Sequence, residues 1–307
     1  SGFAHPAIDT GFEALVPLAR EQGIAVLAIS NSYNCGVLGY HTARLARAGL
    51  LGLGFTNAPA SIAPSGGERP IVGTNPFSVA APGDDGEPAV LIDQSASAIA
   101  KSEIMKRSRE GEAIRLATRV QRPAERTTDP DEALKGSMAP SGGYKGVGIG
   151  LLVELMAAAM TGATLGIDAS PFSGTAGGPP RTGQCFIAID PAATSGGAFA
   201  ERLCALVAAI REQGGARVPG DGRARHRDGP FEAVDRFLLA ELVADGREQP
   251  VVAAHELLAG VEQEEVARAV GVLAGADVEA GLPDGRRLLV AEDAAQGQLR
   301  PEGPILA

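Results

Sequence analysis

The sequence predicts an α/β protein: a mixed or parallel sheet covered by helices, followed by a helical C-terminal appendage. Three observations carry this expectation. Apolar runs of strand length (Ile24 to Ile29, Leu50 to Phe55, Phe77 to Ala81, Ala89 to Ile92 and Gln184 to Ile189) alternate with stretches of helical periodicity. The runs are hydrophobic on both faces, as strands covered by helices are. Beyond about Arg227 the composition shifts to Ala, Glu, Gly and Val, and no catalytic motif follows. At 307 residues the chain can bury a large core and carry an extra unit, and we expect a core over 1–226 and an appendage over 227–307.

Thr10 can cap a helix running to Arg20, with Phe12, Leu15, Val16, Leu18 and Ala19 as its apolar face and Gly23 as its stop. Ile24 to Ile29 is then a strand, and a polar loop from Ser30 to Gly36 leads into a helix that ends before Gly49. Leu50 to Phe55 completes a strand–helix–strand order. Phe77 to Ala81 and Ala89 to Ile92 flank Pro-Gly-Asp-Asp-Gly, a strand, tight reversal and strand. Helices are expected over Ala98 to Arg109, from Asp129 to Leu134 and over Tyr144 to Met160. Another, Ala198 to Gln213, has Phe199, Leu203, Leu206, Val207 and Ile210 on one side. In the appendage, Phe231 to Ala244 and His255 to Leu273 read as helices.

Composition narrows the function. A net charge of -10 argues against a nucleic-acid partner, which would demand clustered Lys and Arg. Cys35, Cys185 and Cys204 are odd in number and widely spaced, as reduced thiols are. His5, His41, His226 and His255 lack ligand-like spacing, so no metal site is expected. The start shows no signal peptide, and the most apolar helical run contains Glu154, so neither export nor a membrane is expected. The reading is a cytoplasmic protein.

Polar groups gather at the mouths of the Phe77 and Ala89 strands: Gly73-Thr74-Asn75-Pro76 before the first, and Asp93, Ser95 and Ser97 after the second. Strand ends are where α/β proteins build sites, although an ordinary hairpin has the same pattern. Gly146-Val147-Gly148-Ile149-Gly150-Leu151 lacks the last glycine of a dinucleotide loop and has no strand just before it. Lys145 lies in the first turn of a helix, where a cation opposes the dipole unless an anion compensates; a solvated lysine is the alternative. Arg217 and Arg223 flank the turn Pro219-Gly220-Asp221, a second candidate anion nest or a solvated basic turn. Asp93 and Glu103 could form a carboxylate pair, and Cys35 with His41 reads as a buried thiol and a surface histidine rather than a nucleophile and base.

Together these segments resemble the malate/L-lactate dehydrogenase family of non-Rossmann oxidoreductases. The resemblance rests on Ile29-Ser30-Asn31-Ser32, Asn34-Cys35-Gly36-Val37-Leu38, Gly73-Thr74-Asn75-Pro76, Asp93 to Ser97, Thr128-Asp129-Pro130, Gly142-Gly143-Tyr144-Lys145-Gly146, Thr182-Gly183-Gln184 and Pro219-Gly220-Asp221. It spans about Ser1 to Arg225 and is strongest toward the branch that reduces Δ1-piperideine-2-carboxylate and Δ1-pyrroline-2-carboxylate, giving L-pipecolate or L-proline. It implies NADPH as cofactor, with NADH as the alternative, a small-molecule substrate and a homodimer. Dehydrogenation of a 2-hydroxy acid such as malate, lactate or sulfolactate is the alternative within the family.

By resemblance, Asn34, Cys35, Gly36, Val37, Leu38, Asp93, Gln94, Ser95, Gly142, Gly143, Lys145, Pro219, Gly220, Asp221 and Arg223 line the cofactor. Thr74, Lys101 and Ser102 match substrate contacts, and Glu103 matches the acid that orients the catalytic histidine. The family's proton donor is a histidine in a Ser-His-Gly motif in an N-terminal helical region, and this chain opens after that region. Losing a general acid typically costs about 10² to 10⁴ in rate, so a cofactor-binding remnant without catalysis is the further alternative. The basic stretch Ile114 to Arg126 and the tail after Arg227 do not match the family; a reading-frame disturbance would account for both.

Overall fold

The computed structural model describes residues 2–114, 118–119, 126–172, 176–222 and 289–291. The chain opens with α1 (His5–Gln22), which begins one turn before Thr10. Pro6 takes the first turn, where its missing N–H costs nothing, so Thr10 lies inside the helix instead of capping it. Ile8, Gly11, Phe12, Leu15 and Ala19 form the buried stripe, and Gly23 closes the helix at φ 81°. A Cβ at Gly11 would lie 2.4 Å from the Leu27 side chain, so only glycine lets α1 settle this closely on the next strand.

That strand, β1 (Ile24–Ser32), runs past the expected Ile29 through a register shift at Asn31, which has φ 52°. Next come α2 (Leu38–Arg47) and β2 (Leu51–Thr56). Gly52 and Gly54 of β2 face Leu45 and Thr42 so closely that a Cβ would meet them at 2.7 and 2.9 Å. The long connection from β2 reaches the hairpin of β3 (Phe77–Pro82) and β4 (Pro88–Gln94), whose turn is the expected one. α3 (Lys101–Glu110) follows, then a short antiparallel ladder of β5 (Thr118–Arg119) and β6 (Arg126–Thr127) and the helix α4 (Pro130–Lys135). Asp129 caps α4 by accepting from the N–H groups of Asp131 and Glu132.

α5 (Tyr144–Glu154) stops short of Met160 because its last turn, Leu155–Ala159, widens to π geometry. β7 (Thr182–Ile189), α6 (Pro191–Ser195) and α7 (Phe199–Arg211) end the continuous part. Of the expected apolar side of α7 only Val207 is buried, and Leu206 points to solvent. The appendage helices predicted over 231–244 and 255–273 lie outside the described residues, but β8 (Leu289–Ala291), which the sequence pattern did not show, joins the sheet.

The sheet order is β4-β3-β2-β7-β1-β8, antiparallel throughout except for β1 with β8, hence mixed. β1 and β2 are not neighbours: β7 inserts between them, antiparallel to both. Alternation along β7 sets its faces. Phe186 packs with Ile8, Phe12, Leu15, Leu27 and Leu45 beneath α1 and α2, while Cys185 joins Phe55, Val153 and Ala157 on the other face. A third cluster, Ile62, Val72, Ala96, Ile104, Ile114, Ala133, Met138 and Val147, lies under α3, α4 and α5.

Candidate active site

The residues after β4 are the meeting point. The Asp93 carboxylate accepts the Gly39 N–H at 3.0 Å, tying the end of β4 to the first turn of α2 and the loop 34–38. The Ala96 N–H donates to the Thr74 carbonyl at 2.8 Å, and the Ser141 N–H donates to the Ala96 carbonyl at 2.8 Å. Ser95 and Ser97 share a hydroxyl hydrogen bond of 2.9 Å. On the outer edge of β4, the Leu91 N–H donates to the Pro219 carbonyl at 2.8 Å. The first turn of α2, the 73–76 loop, the segment before α5 and the 218–222 turn thus meet along β4 and the residues just after it.

Thr74 is held on both sides. Gly73 sits where a Cβ would be 2.2 Å from the Ala58 carbonyl oxygen. Asn75, fully buried at φ 41°, accepts the Ala58 N–H through Oδ1 at 3.0 Å. Its Nδ2 donates to the Gly150 carbonyl at 2.8 Å and to Glu154 Oε2 at 2.7 Å. Glu154 Oε1 accepts the Gly166 N–H at 2.6 Å. The Thr74 hydroxyl makes no hydrogen bond among the described residues. Sequence reasoning missed Glu154 as part of the site; its one signal was a lone acid within the apolar run LLVELMAAAM.

A second buried network closes the same end of the sheet. The Ser32 hydroxyl donates to Gln184 Oε1 at 2.7 Å, Gln184 Nε2 reaches Thr56 Oγ1 at 3.2 Å, and Asn57 Oδ1 accepts the Gly183 N–H at 2.9 Å. Buried polar groups with their partners satisfied fix one geometry rather than several. Cys35 and Cys185 adjoin this region, and burial pushes both thiols up to about 12 from the ordinary 9.0. Because these folded values are raised, the native state holds protons that the unfolded chain releases. The associated stability is complete below about pH 9 and is lost as pH rises toward 12. Thermal melts should therefore fall above pH 9, by up to about 1.4 kcal/mol per thiol per pH unit, and Cys185→Ala should flatten the fall. An unchanged alkaline slope in that variant would reject this assignment.

Other expected residues fall differently. Glu103 pairs with Arg107 at 2.7 Å, and Arg107 also binds Glu112 at 3.0 Å, so Glu103 and Asp93 take separate partners rather than forming a carboxylate pair. Lys101 and Ser102 stand exposed on the first turn of α3. His41 is a core residue, 1% exposed, and not a surface histidine: the stripe Leu38, His41, Thr42 and Leu45 turns it inward, where its Nε2 meets the Cys35 carbonyl at 2.8 Å. The His5 and His41 rings lie 5.4 Å apart, while His226 and His255 are outside the described residues. The side chains of Cys35 and Leu38 point into the core under α1, and the loop's backbone is tied down locally, with the Gly36 N–H on Asn34 Oδ1 at 2.7 Å and the Val37 carbonyl on the Tyr40 N–H at 3.0 Å.

A cleft of about 510 Å³ runs between β4 and the turn that follows α7, lined by Phe77, Leu91, Ile92, Asp93, Gln94, Pro219, Gly220 and Gly222. Gly220, at φ 107°, lets the turn approach the Leu91 backbone to a distance that a Cβ would reduce to 3.2 Å. Asp221 Oδ2 accepts the Val218 N–H at 3.1 Å and its Oδ1 lies 3.4 Å from Arg211, so this turn is stiffened from within. Arg223 lies outside the described residues. Gly142 and Gly143 both adopt positive φ, with nothing within 4 Å of an added Cβ, while the Gly143 N–H donates to the Pro140 carbonyl at 3.3 Å and the Gly143 carbonyl accepts the Gly146 N–H at 3.1 Å. Lys145 is exposed beside them. Apolar walls at Phe77 and Ile92 beside the polar Asp93 and Gln94 give the cleft the character of a small-molecule site. Among the described residues no group of acids, histidines and cysteines could hold a metal ion, and no helix is long and apolar enough to cross a membrane.

Comparison with known proteins defines the class. A family model described as malate/L-lactate dehydrogenase matches residues 1–230, and the chain belongs to this oxidoreductase family. The chain is 42% identical to the (2R)-3-sulfolactate dehydrogenase (NADP(+)) of Chromohalobacter salexigens, an alignment that covers 80% of this chain and 72% of that protein. It is 38% identical to the Δ1-pyrroline-2-carboxylate reductase of Ancylobacter novellus, over 80% of this chain and 73% of the relative. Among solved structures, the Δ1-piperideine-2-carboxylate reductase of Pseudomonas syringae superposes with a TM-score of 0.68 at 32% identity, covering 83% of this chain and 74% of that one.

Proposed function

We propose that the protein reduces a cyclic imino acid, Δ1-pyrroline-2-carboxylate or Δ1-piperideine-2-carboxylate, to L-proline or L-pipecolate, using NADPH in preference to NADH. The observation that most supports this is the convergence of Thr74, residues 93–97, Gly142-Gly143 and the 218–222 turn on the end of β4, in a chain similar to reductases named for these substrates. In this reading Asp93, Gln94, Ser95, Gly142, Gly143, Lys145, Pro219, Gly220, Asp221 and Arg223 hold the cofactor, with the backbone of 34–38. Those residues would hold a reduced nicotinamide whose chemistry is hydride donation to the imine carbon, and the C=N nitrogen would then take a proton and become N–H. Thr74 donates its hydroxyl to the substrate carboxylate, with Lys101 and Ser102 nearby in the chain, and Glu103 orients the acid that protonates the nitrogen.

The 42% identity to a sulfolactate dehydrogenase favours a second reading, NADP-linked oxidation of a 2-hydroxy acid. Both substrates place a carboxylate beside the reacting carbon, and a sulfonate adds a second anion for a lysine to meet. The chain is titrated with NADPH while fluorescence is followed, then given Δ1-piperideine-2-carboxylate, Δ1-pyrroline-2-carboxylate, sulfopyruvate, pyruvate or oxaloacetate in turn. Faster NADPH loss with the imines supports the first reading, and the reverse order supports the second. Binding without turnover leaves a cofactor-binding remnant, and no binding rejects all three.

The proposal extends to a cytoplasmic homodimer built on a core of 1–226, with 227–307 as an appendage. Leu151, Leu152, Leu155 and Met160 are between 42% and 61% exposed on α5 and its π turn, a surface that a second copy would cover. Light scattering should give twice the mass of one chain, and Leu155→Asp should shift it toward a single chain; a monomer at micromolar concentration would reject the dimer.

A further inference from the structure

We propose that Glu154 is a positioning residue that acts through Asn75 to hold Thr74 against the substrate; this rests on the reading of Thr74 as a substrate contact. Asn75 occupies the left-handed region at φ 41°, which asparagine enters more readily than most L residues, and its side-chain hydrogen bonds fix it there. Its amide is fully engaged: Oδ1 on the Ala58 N–H, and Nδ2 shared between the Gly150 carbonyl and Glu154 Oε2. A neutral carbonyl would satisfy that last hydrogen. A carboxylate does more, because a hydrogen bond to a charged acceptor is about twice as strong, and its second oxygen anchors the Gly166 N–H at 2.6 Å.

The position of Glu154 in the fold makes the link directional. It is the last α-helical residue before the helix widens into its π turn, and it is 8% exposed. π turns inside α-helices recur beside functional sites. This one is wedged in place: a Cβ on Gly183 of the central strand would be 2.1 Å from the Ala157 carbonyl oxygen, so the turn and β7 are in backbone contact. The carboxylate therefore stands on the rigid sheet and reaches Asn75, whose neighbour Thr74 carries the unengaged hydroxyl. An acid in that place is costly unless it holds something, and what it holds is the loop that presents Thr74.

The test compares Glu154→Gln, Thr74→Val and the double variant in the full chain. Glu154→Gln keeps volume and one acceptor oxygen while removing the second, so it folds more readily than an apolar replacement. We expect it to raise KM for the imine, or the Kd of L-proline with the cofactor bound, about tenfold, with the affinity for NADPH unchanged. Amide exchange at Ala58 and Ala96, the two N–H groups on the 74–75 clamp, should quicken. The double variant should be no worse than Thr74→Val alone, because both changes act on one contact. If Thr74→Val leaves KM and product affinity unchanged, the substrate reading fails and this inference falls with it. If Thr74→Val is impaired while Glu154→Gln lowers only the melting temperature, or if the two losses add, Glu154 is merely structural and the inference alone is overturned.

Discussion

Gly73→Ala is expected to cut kcat/KM by about 100-fold or more and to cost about 1–3 kcal/mol of stability. The added Cβ would stand 2.2 Å from the Ala58 carbonyl oxygen and 2.6 Å from Asn75 Oδ1. Neither atom can swing away as the tip of a flexible side chain would, since one is backbone and the other is fixed by the Ala58 N–H. The strain is relieved only by moving the chain that carries Thr74, and a displacement of about 1 Å in a positioned group is worth roughly two orders of magnitude in rate. Steady-state kinetics beside urea melts measure both effects. A variant with native kcat/KM would show that the placement of Thr74 does not matter to turnover.

Phe186→Ala is expected to have the largest effect on stability, about 3–5 kcal/mol. Phe186 is fully buried in the central strand, meets the Phe12 ring edge-on at 5.2 Å and lies 5.8 Å from the His41 ring. Its removal leaves a cavity that neither α1 nor α2 can fill, because Gly11 and Gly54 already bring helix and sheet into contact. The urea midpoint should drop with an unchanged m-value. Because Phe186 shares its cluster with Cys35 and Leu38 of the proposed cofactor loop, NADPH affinity should weaken together with stability. A loss below about 1 kcal/mol would mean that the helices collapse onto the sheet.

The strands and the gathering of polar motifs at the end of β4 were legible in the sequence because each is local. Apolar runs, a Pro-Gly-Asp-Asp-Gly turn and paired glycines before a helix carry their conformation in their own residues. What escaped depended on residues far apart. β1, α2 and β2 suggested adjacent strands, but β7 enters between them from about 150 residues further on. Proline at the first turn of α1 displaced the start from Thr10. Glu154 stood out in the sequence only as an acid within the most apolar helical run, and its partner Asn75 lies 79 positions earlier. His41 was expected on the surface because a histidine is judged from its own polarity, whereas its helix face decided the matter. The assignment of Glu103 rested on resemblance alone, and the partner that it meets, Arg107, is one helical turn away.

The insertion of β7 also governs how the chain must be made. Half of the paired positions in the sheet wait for Thr182 to Ile189, since the ladders to β1 and to β2 both run through that strand. A nascent chain that has released β1, α2 and β2 from the ribosome exposes two strand edges and the apolar faces meant for Phe186 and Cys185, with nothing yet to pair them. Such non-local closure is slow and leaves sticky intermediates. Nascent chains truncated just before and just after this strand should therefore differ sharply in protease resistance, and the demand on chaperones should be greatest while its last residues are still being translated.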